Sequence, residues 1–85
     1  MAFMRYQEIA SRLKEKNSKA ILIDGFDEAL SGITQNKEPF VAVYDLEKCI
    51  ALLVESGMTL QESTDYVEAK LKEYKSDNDP VFVSL

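Results

Sequence analysis

The chain has 85 residues, 46% of them hydrophobic and 29% charged, with three glycines and two prolines. That composition is globular and excludes collagenous, low-complexity and disordered classes, and the length allows a single domain, residues 1–85, with one small core. A formal net charge of −5 with no histidine and one cysteine excludes histidine-assisted triads, imidazole metal sites, paired-cysteine zinc sites and internal disulfides.

In chain order, Ala2–Lys16 is predicted as a helix. Phe3, Tyr6, Ile9, Ala10 and Leu13 recur at three- and four-residue spacings. Glu8 and Arg12 stand four apart with the acid first, and lysines gather at the end, where the helix dipole favours cations. Asn17-Ser18 stops it. Ala20–Asp24 is short, apolar and rich in branched residues, which predicts a buried strand ending in an Asp24-Gly25 turn. Phe26–Thr34 fits either one helical turn at residues 27–30 or a twisted strand with a glycine bulge, and is read as strand. Gln35–Pro39 is a polar loop. Phe40–Tyr44 is a clear strand, in hairpin distance of the preceding stretch.

Asp45 is a good N-cap for a second helix, Leu46–Ser56, with Leu46, Cys49, Ile50, Leu53 and Val54 on one face. Gly57 ends it, and Thr59 with Glu62 forms a capping-box pattern that starts a third helix at Leu60. That helix fades in residues 75–79. Pro80–Leu85 reads as a final strand at an edge. The order α-β-(β)-β-α-α-β predicts an α+β fold: a small antiparallel sheet of three to four strands packed on one face by three helices.

Charge is unevenly spread. Residues 1–23 carry +3, residues 24–68 carry −8, and residues 69–85 are neutral. An acidic middle repels phosphates, so direct nucleic-acid binding is not expected; it suits a host protein partner with a basic surface, or simply serves solubility. Glu55, Glu62, Asp65 and Glu68 lie on the second and third helices. Spaced carboxylates of this kind can imitate a duplex backbone, and a solvated helix face looks the same. Tyr66 falls off the apolar face among these acids and is read as a binding anchor or as edge packing.

The turn Asp24-Gly25-Phe26-Asp27-Glu28 gathers three carboxylates. Oxygen ligation of a divalent cation would need a calcium-loop spacing that the segment lacks, so it is read as an acidic turn and no metal or cofactor is assigned. Asp77-Asn78-Asp79 reads as a solvated loop. Cys49 sits on an apolar helix face and reads as a structural thiol. Without histidine, and with little volume for a cleft, no enzymatic activity is expected. The N-terminal segment has no apolar signal core, and no apolar run spans a bilayer, so no membrane residence and a cytoplasmic location are expected.

Several motifs together resemble a known family. Asp24-Gly25-Phe26-Asp27, Val43-Tyr44-Asp45, Glu47-Lys48-Cys49-Ile50, Gly57-Met58-Thr59 with Glu62, and Pro80-Val81-Phe82 resemble a family of small uncharacterised proteins of tailed bacteriophages and prophages. The likeness covers about residues 20–83. It departs at residues 71–79, where the family has a glycine- and aromatic-containing stretch. The resemblance implies a phage or prophage origin, and with it the host cytoplasm, and implies no activity. The functional expectation is a non-enzymatic protein that binds and modulates a host protein, acting as a nucleic-acid mimic that inhibits a DNA-binding or defence complex. The alternative expectation is a structural or self-assembling protein that dimerises through a sheet edge, either Phe40–Tyr44 or Val81–Val83.

Overall fold

The computed structural model describes residues 2–35 and 38–84. The side chain of Phe3 and the expectations for Asn36, Lys37 and Leu85 lie outside the described residues. The elements are α1 (Ala2–Lys16), a short 3-10 turn (Asp27–Ala29), β1 (Leu30–Ile33), β2 (Ala42–Asp45), α2 (Leu46–Glu55), α3 (Leu60–Glu73) and β3 (Val81–Val83). This is the expected α+β class, with three helices and a three-stranded sheet in the order β1-β2-β3.

Three details differ from expectation. The sheet is mixed: β1 pairs antiparallel with β2, but β3 runs parallel to β2. The connection from β2 to β3 carries two helices, and a helical crossover of that length returns the chain to the starting end of the sheet. Residues 20–23 are not a strand. No neighbouring strand reaches them, and their backbone is served by scattered partners instead. Ala20 N–H donates to the Asn17 carbonyl, Ile21 N–H to the Asn78 carbonyl, and Ile23 N–H to the Tyr44 hydroxyl at 2.9 Å. Finally, both readings of residues 26–34 hold in part. The 3-10 turn takes residues 27–29, and β1 follows with a register shift between Leu30 and Gly32, the expected bulge.

β2 is the central strand, so Phe40–Tyr44 offers no edge for dimerisation, whereas Val81–Val83 is an edge. Leu30, Ile33, Ala42, Tyr44 and Phe82 share the covered face. Leu13 of α1, Cys49 of α2 and Val67 of α3 bury against it in one core with Phe26 and Ala29. The opposite face carries the half-buried cross-strand pair Val43 and Val81, and Val41, which is buried beside Pro39 and the loop at residues 76–79. The molecule measures 36 × 31 × 20 Å, and its short dimension is that of one sheet plus one helix layer.

Local signals set the helix ends. The Asp45 side chain accepts from the Lys48 N–H at 3.2 Å and caps α2. Gly57, at φ +114°, ends that helix in a conformation that a side chain would strain. The reciprocal capping box at the start of α3 is complete: Glu62 N–H donates to Thr59 Oγ1, and Thr59 N–H donates to Glu62 Oε1. No helix among the described residues is long and apolar enough to cross a membrane.

Candidate functional site: a cleft between the acidic turn and the α2–α3 pair

Asp24 and Tyr66 are 42 positions apart in the chain, yet they line one cleft of about 410 Å³. Its floor is Ile23, Phe26, Leu52 and Leu53, and its rim adds Ser56 and Lys70. The turn that presents Asp24 is set by Gly25, at φ +90°, and by Phe26, which inserts into the core. The Tyr44 hydroxyl holds the Ile23 N–H from below. The opposite wall is built by α3. Tyr66 and Lys70 are four apart, so they share a flank of the helix. The Lys70 ammonium stands 5.6 Å from the centre of the Tyr66 ring and 3.9 Å from Glu73 Oε2. Tyr66 remains 43% exposed. A cation thus lies on the ring of the tyrosine that the sequence places among acids.

The other nominated residues separate from this cleft. Glu62 is exposed and serves the capping box, and its two contacts with Thr59 hold its carboxyl below the usual glutamate range. Asp65 accepts from Gln61 Nε2 at 2.9 Å on the exposed surface. Glu68 is two positions beyond Tyr66, which turns it to the other side of α3. Glu55 is exposed at the last position of α2. Glu62, Asp65 and Glu68 follow one another at three-residue spacing, so they form an exposed stripe that winds round α3 away from the cleft, Glu62 nearest to Tyr66 and Glu68 furthest from it. Among the described residues, Lys70–Glu73 is the only ion pair, so the carboxylates of this stripe have no cation within bonding distance.

Asp27 and Glu28 lie on the 3-10 turn, exposed and outside the cleft lining. With Asp24, Asp27 acts at a distance on Tyr6. Burial first, and then these two carboxylates, push the Tyr6 phenol above its ordinary range. No three carboxylate or thiol groups among the described residues converge in a way that could hold a metal ion. Cys49 is fully buried, and burial together with the Asp45 carboxylate pushes its thiol up to about 12. It stays protonated at neutral pH and does not reach the cleft.

Sequence reasoning missed Lys70 and the apolar floor. The signal was present in the Tyr66–Lys70 spacing, which is that of two side chains on one helix flank. The cleft has one carboxylate, Asp24, and one ammonium, Lys70, at its rim over an apolar base. No family model matches the chain, and no curated protein or solved structure resembles it closely enough to count as a match.

Proposed function

We propose that this is a non-enzymatic accessory protein of the phage type that binds a basic surface of a host protein and modulates it. The contact surface is the acidic stripe of Glu62, Asp65 and Glu68, extended by Glu55, with Tyr66 as anchor at the mouth of the adjoining cleft. The observation that carries the reading is the cleft itself, which brings Asp24 and the half-exposed Tyr66 together over an apolar floor. A lysine or arginine of the partner would lay its alkyl stem on that floor and its charge toward Asp24. The unpaired carboxylates of α3 would steer the approach. In its sharper form, the stripe occupies the groove in which a host DNA-binding or defence protein holds phosphates.

The test avoids Glu62, because its carboxylate also caps α3. The tagged protein is used to capture partners from nuclease-treated bacterial lysate, beside two variants, Tyr66→Ala and Asp65→Lys/Glu68→Lys. A host protein retained in stoichiometric amount by the parent is expected to be lost about tenfold or more with each variant. Equal retention by all three proteins would overturn the proposal.

A further inference from the structure

A second groove, of about 500 Å³, lies on another side of the molecule, between α1 and the outer edge of β1. Ile9, Ile33 and Phe40 give it an apolar base. Arg12 and Lys16 line it from α1, and among the described residues no carboxylate lines it. In a chain of net charge −5 this is a basic site. Neither cation is in an ion pair among the described residues. The Glu8–Arg12 pair expected from the spacing does not close to ion-pair distance, and the Lys16 ammonium rests 5.0 Å from the centre of the Phe40 ring.

The opposite wall is a strand edge. β1 is bonded to β2 on one side only. Thr34 N–H donates to the Val41 carbonyl at 3.0 Å, and Gly32 stands opposite Val43. The alternation of an antiparallel ladder then turns the N–H and C=O of Ile33 to the outer edge. Space is open beside Gly32, where a Cβ would meet nothing within 4 Å.

We infer that this groove binds an extended acidic peptide of a partner protein, which adds to the outer edge of β1 as a further strand. The spacing of the charges supports it. Arg12 and Lys16 are separated by about 6 Å of helix rise. Carboxylates at alternate positions of a strand are about 6.8 Å apart and share one face. With acidic side chains turned toward α1, the intervening side chains fall on the opposite face of the sheet. There they extend the row that Val43 and Val81 begin, in the space left by Gly32. The peptide fitted by this site has Glu or Asp at every second position and branched apolar residues between them. This surface is separate from the α2–α3 cleft, and each can fail without the other.

The test is a titration of the isotope-labelled protein with a capped Gly-Glu-Val-Glu-Val-Glu-Gly peptide, followed by amide NMR shifts. Shifts are expected at Gly32, Ile33 and Thr34, with exchange of the Ile33 amide slowed. The variant Arg12→Gln/Lys16→Gln removes two exposed charges, and with Lys16 its contact on the Phe40 ring, and is expected to weaken binding about tenfold while the dispersed spectrum of the folded chain is kept. For the parent, salt at about 0.5 M is expected to weaken binding severalfold. The peptide with lysine in place of glutamate is expected to leave the spectrum unchanged. Absence of shifts at millimolar peptide, shifts confined to α2 and α3, equal binding by the variant, or equal binding of the lysine peptide would each overturn the inference.

Discussion

Tyr44 joins three parts of the fold, β2, β3 and the segment before the acidic turn. It is fully buried in β2, its ring stacks on Phe82 of β3 at 5.7 Å, and its hydroxyl accepts the Ile23 N–H. Burial pushes its phenol up to about 12, and the neighbouring Cys49 thiol is likewise held near 12. Both groups therefore keep their protons in the folded chain at pH values where the unfolded chain has lost them. The folded state binds more protons, so stability falls as pH rises. The loss begins near the ordinary cysteine value of 9.0, steepens above the ordinary tyrosine value of 10.0, and continues to about 12. Its slope reaches about 1.4 kcal/mol per pH unit for each group. Tyr6 and Tyr74, also raised, add in the same direction. Urea unfolding between about pH 8 and pH 11 checks this. Tyr44→Phe is expected to lose about 1–3 kcal/mol at neutral pH, because the Ile23 N–H loses its acceptor, and to decline less steeply in alkali.

Asn17 plays the matching part between elements. Its Nδ2 donates to the Phe40 carbonyl at 2.8 Å and to Asn78 Oδ1 at 2.9 Å, while its Oδ1 accepts from the Lys19 N–H. It thus fastens the end of α1 to the approach to β2 and to the loop before β3. Asn17→Ala is expected to cost about 1–3 kcal/mol, measured as a lower urea midpoint at unchanged m-value, with faster amide exchange in the last turn of α1. In the sequence, Asn17 reads only as a helix stop, and Asn78 only as part of a solvated loop. The difference marks what was legible. Helices and their ends were, because Asp45, Gly57 and the Thr59–Glu62 pair act on their own neighbours within four residues. The β1–β2 hairpin with its bulge was legible for the same reason. The direction of β3 was not, because it is fixed by the path of two helices. Residues 20–23 have strand composition but no strand to pair with, and a branched apolar run records burial rather than pairing. Of the candidate site, Tyr66 and Asp24 were visible one at a time. Their meeting in one cleft depends on how α3 lies against the turn, which no local pattern encodes.

Charge organises the molecule at its largest scale. Residues 24–68 carry −8, and one ion pair, at 3.9 Å, stands among the described residues. Salt therefore screens more repulsion than attraction, and the melting temperature is expected to rise by about 2–5 °C between low salt and about 0.5 M sodium chloride, read by calorimetry. A fall over that range would mean that attractive pairs dominate. The route of the chain also determines where its length can change. β2 passes into α2 with no residue between them: Asp45 stands opposite Val83 in the sheet and caps the helix with its side chain. One residue inserted or deleted within β2 would turn Tyr44 away from the core to the opposite face or leave α2 uncapped. Insertions and deletions should therefore be excluded from this junction. The strand-to-helix joint is thus a fixed length standard for the protein, against which homologous chains of different length can be aligned.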